Sequence, residues 1–476
     1  MIMESEVKYI YPHSEQKRGD CGYRMVKTGE NLMLSVTGSD MAMFDGVEIK
    51  KGKKPYKLCP LSTDNAKVIR RLFDYTNPKS HKGYNITIGL GDRLGLASPG
   101  HIEAIRESDV FPVLAQQSMR ELVLTGRNYD DVLTAATWAV FREGYRKGFG
   151  ADGDHLKTAD EVKNALLCGY TMITLDCSEH INNDFTNAAQ ENVDTLYQKI
   201  CPDIRKTLEE RYLNKVFKIS GDIKLTYNDA DFRRIVLIYH PAVLHAAEIY
   251  NNFIKGTDID FEVSIDETLS VTTPQAHYFT ANELKLQGVD MTSLAPRFPG
   301  EFQKGIDYIG DVSEFEKDFM VHARIADTFG YKLSIHSGSD KFSVFPAIGQ
   351  LTGGRYHLKT AGTSWLEAVR VIARNAPELY REIHIFALKN LDKAKKYYHI
   401  TENTKRIKDV HSVSDAALPE YLEHDDARRV LHITYALILD GFCNRVYETL
   451  KTYEDKYTTA LKNHIGRHME ALGIEK

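Results

Sequence analysis

The sequence has few cysteines and no long apolar run. Its six cysteines, at 21, 59, 168, 177, 201 and 443, are scattered over 476 residues with no C-x-x-C pair. That excludes a disulfide scaffold and suits a reducing, cytoplasmic setting. Cys177, after a strand-like run, reads as a buried structural thiol or a reactive one. No stretch of 18 apolar residues occurs, and the opening MIMESEVKYIYPHSEQKRGD has no apolar h-region, so neither a membrane span nor a secretory signal is expected. A net charge of −5 and a pI near 6.4 give no basic footprint for nucleic acid or an anionic membrane. H-E-x-x-H is also missing, so a metal site would have to be assembled from distant parts of the chain.

What is present is ordinary for a globular chain. With 42% hydrophobic and 27% charged residues, a large core is expected and disorder is not. The length allows one elaborated barrel or two domains. The stretch that organises the rest is YKLSIHSGSDK at 331–341. Leu333 and Ile335 alternate with Ser334 and His336, then a Ser/Gly loop carries Asp340 and Lys341. Period-2 alternation lets the apolar side chains pack on an outer helix while the polar ones face inward. His336 then falls at the carboxyl end of a strand, where (β/α) barrels keep their chemistry. By itself it reads more readily as a hydrogen-bonded core histidine, so partners on other strands decide.

The chain supplies several. Residues 1–80 hold short apolar pieces (23–26, 32–36, 41–47) and a helical pattern over 65–75, a cap in which the basic stretch 52–60 reads as loop. YNITIGLGDRLG at 84–95 resembles a dinucleotide fingerprint. Ser98-Pro99, however, is a better helix start than the glycines, and the fingerprint needs its glycines there. A barrel strand with Asp92 and Arg93 on its rim is the preferred reading, and no nicotinamide cofactor is expected. FPVLAQQ (111–117) and TMITLDC (171–177) are buried strands, and a helix is expected over 129–147. GFGADGDHLKT (148–158) ends in a capping box, Thr158 to Glu161. A charged helical insertion covers about 181–255 before FEVSIDET (261–268), where alternation puts Glu262, Ser264 and Asp266 inside. An inward glutamate needs a partner, a proton or a ligand.

Further capping boxes at Thr280/Glu283 and Ser313/Glu316 mark helix starts, Pro274 offering an alternative for the first. YHLKTAGTS (356–364) ends a strand and opens a helix whose N-H groups, with Lys359, suit an anion. The remaining 376–476 reads as a helical extension with little chemical signal. The whole predicts an α/β chain: a TIM-barrel-like (β/α)8 domain over 81–375 with an N-terminal cap and a helical C-terminal cover. Strand ends offer Asp154, His155, Asp176, Glu262, Asp266, Glu267, Gln303, His336 and His357. Histidines with carboxylates suit a divalent transition metal. Lys157, Arg297, Lys341 and Lys359 round the same mouth suggest an anionic, polar substrate.

Five motifs, GFGADGDHLKT, FEVSIDET, RFPGEFQKG, LSIHSGSDK and YHLKTAGTSW, together resemble the tagaturonate epimerase family over about residues 40 to 440. The resemblance implies a TIM-barrel-like fold, one divalent cation (Zn, Mn, Ni or Co) and the interconversion of tagaturonate and fructuronate. Carried over, Asp154 and Glu262 look like the acid/base pair, with Glu267 in reserve. His155, Gln303 and His336 look like the metal ligands, with His357 able to replace Gln303. Lys157, Arg297, Lys341, Lys359 and Thr360 are the substrate-binding candidates, with the lysines and the helix start near Thr360 holding the C6 carboxylate. The inverted carbon, C4 counted from the hydroxymethyl end, is alpha to neither carbonyl, so one enolisation cannot invert it. Retro-aldol cleavage of C3–C4, rotation and re-addition is the simplest route, and it needs two opposed carboxylates and a Lewis acid. Weak turnover of neutral ketohexoses follows if only the carboxylate contacts are lost. A metal-dependent sugar isomerase or aldolase, a non-catalytic uronate-binding protein and a homo-oligomeric state stay open.

Overall fold

The computed structural model describes residues 7–50, 55–220, 222–398 and 400–475. Eight parallel strands close into a barrel in strict chain order: β1 (Ile86–Leu90), β2 (Phe111–Ser118), β3 (Gly150–Leu156), β4 (Met172–Asp176), β5 (Asp260–Ser264), β6 (Ser293–Ala295), β7 (Lys332–Ile335) and β8 (Tyr356–Thr360). β8 closes on β1 with His357 beside Thr87 and Thr360 beside Leu90. The expected strands are all present. β6 is the one that the sequence pattern does not mark, because three residues carry too little alternation to register.

The barrel interior is unusual in its chemistry. Such barrels are ordinarily filled by Val, Ile and Leu, yet here Thr87, Asp152, Thr174, Glu262, Ser293, Ser334, His357 and Lys359 are all buried polar residues on the strands. Their neighbours in sequence, such as Ile88, Ile173, Val263, Leu333 and Leu358, join the main apolar core. Thus the period-2 alternation separates a polar lumen from an apolar outer face. The two glycines at the end of β1 are explained by crowding: a Cβ on Gly89 would collide with Gln116 Oε1, and one on Gly91 would lie 2.9 Å from Ala361 Cα.

The N-terminal cap is a six-stranded antiparallel sheet whose central strands are Cys21–Thr28 and Asn31–Thr37. Its Tyr23, Met25, Leu34 and Val36 share the core that contains Trp138 and Phe141 of helix Tyr129–Glu143. Residues 41–47 form no continuous strand: a 3-10 turn, Ser39–Met43, precedes Val47–Ile49. Tyr56–Pro60 is a strand rather than a loop, and 51–54 lie outside the described residues. Between β4 and β5 come helices Gln190–Tyr197, Pro202–Tyr212 and Asp229–Ile249 with one short hairpin. C-terminal helices including Pro377–Lys389, Asp425–Ile433, Tyr435–Thr452 and Glu454–Ala471 build a second apolar cluster around Trp365.

Helix starts test the capping expectations. Thr158 and Glu161 form the predicted box. At the next helix Thr273 caps Pro274–Leu286, so Thr280 and Glu283 lie inside it. Asp311, not Ser313, caps Val312–Phe329. An aspartate carboxylate can accept two N-H groups at once and displaces the neighbouring serine. Ser98 likewise is the first helical residue and caps nothing. Instead the buried Asp92 carboxylate accepts N-H groups of Leu94 (3.1 Å), Gly95 (2.8 Å), Ala97 (2.7 Å) and Ser98 (3.3 Å). A carboxylate of the protein thus occupies the N-H groups that a pyrophosphate would need there. Asp92→Ala is expected to lower the unfolding free energy by about 2 kcal/mol in urea titrations, from lost caps and orphaned N-H groups.

Candidate active site

At the carboxyl ends of the strands lies a cavity of about 330 Å³. Its floor is organised by Lys359 of β8, whose Nζ lies 2.9 Å from Asp152 Oδ2, 2.7 Å from Asp154 Oδ1 and 3.0 Å from Glu262 Oε1. It also donates to Thr174 Oγ1 at 2.5 Å. Burial works against this ammonium, but the three carboxylates outweigh it and hold its pKa well above the usual lysine value. In return, burial would raise Asp154 and Glu262, yet His155 and Lys359 around the first, and Lys359 and His336 around the second, hold both well below the carboxylate range. Asp152, fully buried, is carried up to about 6 by burial despite Lys359.

His336 follows β7 and is clamped by two carboxylates. Its Nε2 is 2.8 Å from Glu262 Oε1 and its Nδ1 is 3.1 Å from Asp266 Oδ2. Burial opposes the charge on this ring, but Asp266 and Glu262 prevail and bring it to about 10. His155 Nδ1 lies 2.8 Å from Asp154 Oδ1, and its ring centroid is 4.9 Å from that of His336. His155 and Ser337 both line the cavity with left-handed backbones, φ 57° and 52°. Such non-glycine strain gathers at sites whose surroundings impose it.

Two histidines among carboxylates are donor types that a divalent transition metal takes. Here, however, His336 Nε2 is spent on Glu262, and among the described residues three such donor atoms lie within 4.8 Å of one another at Asp340, His464 and His468 rather than at this cavity. The Nδ1 atoms of both imidazoles face carboxylates, Asp154 behind His155 and Asp266 behind His336, an arrangement that orients metal-bound histidines.

The other expected site residues divide. Lys157 stands on the cavity rim, 3.7 Å from Asp176 and 3.4 Å from Glu179. Asp176, Asp266 and Glu267 line the cavity, whereas Glu262 is sealed beneath His336 and Lys359 with no exposure. Gln303 does not line it: its amide donates to Thr401 Oγ1 (2.9 Å) and Glu301 and accepts from Thr401 N-H (3.1 Å). His357 lies deeper, paired with Thr87 Oγ1 at 2.7 Å and stacked on His81. Arg297 donates to the Thr268 carbonyl, and Thr360 to that of Gly89 (2.8 Å). Lys341 donates to the carbonyls of Gln303 (2.9 Å), Ile306 (2.6 Å) and Ser339 (2.9 Å), pinning two loops together, and burial pushes it down to about 7. Gln303, Arg297, Thr360 and Lys341 therefore satisfy backbone or neighbouring groups rather than face the cavity.

Lining residues that the sequence reading passes over are Arg120, Glu121, Lys304, Ser337, Tyr398 and His432. His432 leaves no periodic signal: it stands one turn after Arg428 on the polar side of helix Asp425–Ile433, although both are buried. A second polar group stands behind the β7 loop. Asp340, His464 and His468 bring their donor atoms within 4.8 Å of one another and could hold a metal ion. Each donor already has a protein partner. Asp340 Oδ1 is 2.5 Å from His464 Nε2, its N-H donates to His468 Nε2 at 3.0 Å, and Arg428 is 2.8 Å from Oδ2.

A (β/α)8 barrel with this cavity at its strand ends belongs to an enzyme acting on a small polar molecule. A family model described as UxaE, tagaturonate epimerase, matches residues 11–472, and the chain belongs to that family. It is therefore an isomerase of the epimerase type. A tagaturonate/fructuronate epimerase of Thermotoga maritima is 38% identical over 472 residues, covering 97% of this chain and 96% of that protein. Crystal structures of the fructuronate-tagaturonate epimerase UxaE from Cohnella laeviribosi, native and with glycerol, are 46% identical with a TM-score of 0.95, over 98% of this chain and 97% of theirs.

Lys359→Met removes the cation that compensates three buried carboxylates and is expected to lower stability by about 3–5 kcal/mol at neutral pH. Without it, burial and mutual repulsion raise the folded-state pKa values of these carboxylates above their unfolded values. The stability that remains is then present at low pH and lost as pH rises. Urea titrations at pH 5.5 and 8 should show the larger deficit at pH 8.

Proposed function

We propose that this chain interconverts tagaturonate and fructuronate by inverting C4 through retro-aldol cleavage and re-addition. The observation that carries the reading is the set of carboxylates and carboxylate-backed histidines around one cavity, together with the activity named for relatives 38% and 46% identical. In this reading His155, His336 and Glu262 hold a divalent cation. Glu262 takes the ligand place for which Gln303 and His357 are the sequence candidates, because its carboxylate already meets His336 Nε2. A bound cation would supply Lewis acidity toward the charge developing across C2 and C3.

Asp154 removes the 4-hydroxyl proton. Both of its contacts, with His155 and Lys359, are made by Oδ1. The C4 oxygen then becomes an aldehyde as the C3–C4 bond breaks, and the electron pair passes to C3 and onto the C2 oxygen. The aldehyde fragment turns, C3 attacks its other face, and the new C4 alkoxide takes a proton from the opposite wall. Glu267, entering the cycle with a proton taken from solvent, gives it there, since it is the carboxylate of the β5 loop that stands exposed on the cavity wall while Glu262 does not, and Asp154 then releases its own proton to solvent. His155 and Lys359 keep Asp154 ionised at neutral pH, which a base requires.

The test is NMR of tagaturonate incubated in D2O with chelator-stripped protein, alone and with Mn²⁺, Zn²⁺, Ni²⁺ or Co²⁺. Fructuronate is expected only with a metal and without deuterium at carbon. Conversion by the stripped protein would overturn the metal assignment, and deuterium at C3 would overturn the bond-cleavage route. Asp154→Asn and Glu267→Gln should each lower kcat by about 10²- to 10⁴-fold, whereas His336→Ala should act first on metal affinity, read by calorimetry.

A further inference from the structure

Four lysine and arginine side chains line the cavity, Arg120, Lys157, Lys304 and Lys359. Lys359 is outnumbered by the carboxylates around it, which leaves little attraction there for a further anion. Lys157 is matched by Asp176 and Glu179. Arg120 is exposed, donates to the Tyr397 carbonyl at 3.2 Å and lies over the Tyr398 ring. Lys304 is the less exposed of the two: among the described residues its Nζ has no carboxylate within ion-pair distance, and its hydrogen bond goes to Ser337 Oγ at 2.9 Å. Burial lowers its pKa, with Arg93 and Arg120 adding to the effect and Glu121 opposing it. An ammonium so placed lacks a counter-ion.

The surrounding wall lacks the same thing. His432 is 1% exposed and lines the cavity, yet among the described residues neither ring nitrogen has a hydrogen-bond partner. Burial keeps that ring neutral, so it carries one N-H that needs an acceptor. Helix Gly362–Asn375 begins at this wall, and its N-cap residue, Ala361, provides no side-chain cap. The first-turn N-H groups of a helix have no partner within it and favour negative charge. A Cβ on Gly362 would collide with His432 Nε2, so the glycine allows the helix end to approach the ring. Ser337, which Lys304 contacts, directly follows His336.

We propose that Lys304, His432 and the uncapped start of helix 362–375 bind the terminal carboxylate of the keto-uronate and set the preference for uronates over neutral ketoses. This rests on the activity proposed above, and it transfers to Lys304 the contact expected of Lys359 and Lys341. An ammonium, an imidazole N-H and backbone N-H groups share one wall, the donor set of a carboxylate site. In bond cleavage between C3 and C4 the carboxylate travels with the aldehyde fragment. The wall thus tethers the piece that must turn, beside His336.

The experiment compares wild type with Lys304→Gln and Lys304→Arg, all loaded with the activating metal and checked for equal thermal melting. In Lys304→Gln the KM for tagaturonate should rise about 100-fold, the loss typical of one partner in a buried charged hydrogen bond, with kcat changed far less. Lys304→Arg should recover most of it. Competition by fructose, which has a hydroxymethyl group in place of the carboxylate, should weaken less than about threefold. A Lys304→Gln KM within about threefold of wild type, or equal weakening toward fructose and tagaturonate, would overturn the proposal. If Lys304→Gln melts early, His432→Asn takes its place with the same expected split. Calorimetric titration of tagaturonate into each protein separates the two readings. Binding that depends on Lys304 without turnover sinks the epimerase reading alone, and turnover with binding indifferent to Lys304 sinks this one.

Discussion

One ammonium group holds the lumen of this barrel together. Lys359 stands buried among Asp152, Asp154 and Glu262, and the mutual repulsion of those carboxylates would otherwise force protons onto them. Everything chemically useful above it follows from that compensation. Asp154 stays ionised and faces the cavity, and Glu262 stays ionised and draws His336 to 2.8 Å. The apolar shell that seats the eight strands does not distinguish this barrel from others. The polar lumen does.

Much of this is legible in the sequence because strand alternation is a local property. Inward Glu262, Asp266 and His336 follow from their spacing, and the structure brings them together. The tetrapeptide His-Leu-Lys-Thr shows where such reasoning stops. It ends both β3 and β8, at 155–158 and 357–360. In β8 the alternation holds and Lys359 points to the lumen. In β3 His155 takes a left-handed backbone, the ladder to β4 slips, and Lys157 emerges on the rim. A backbone reversal at one residue reassigns every side chain after it, and no pattern of letters announces it.

Loop residues are harder still. Gln303 and Lys304 are neighbours in one Gly- and Pro-flanked loop, and only the fold decides that the amide turns to Thr401 while the ammonium reaches Ser337. Arg297 and Lys341 carry charge in the right segments, but each is drawn to carbonyl groups that a tight loop leaves without partners. The contribution of His432 is invisible for another reason. Its helix, Asp425–Ile433, comes long after β8 has ended at Thr360, and packing between such distant segments has no local signature.

The cavity wall also has a history in time. Tyr398 and His432 line it, and His464 and His468 fix Asp340 behind the β7 loop, so groups from the helical cover finish a site whose floor is built by the barrel. The ring itself closes only when Tyr356–Thr360 pairs with Ile86–Leu90. A ribosome delivering this chain from its N-terminus therefore releases the cap and the first strands long before their partners exist, and contacts of such long sequence separation form slowly. Until helix Glu454–Ala471 has left the ribosomal tunnel, the growing chain holds the acidic lumen without its finished roof. A nascent barrel of this kind lacks Tyr398 and His432 on its cavity wall while its covering helices are still being made.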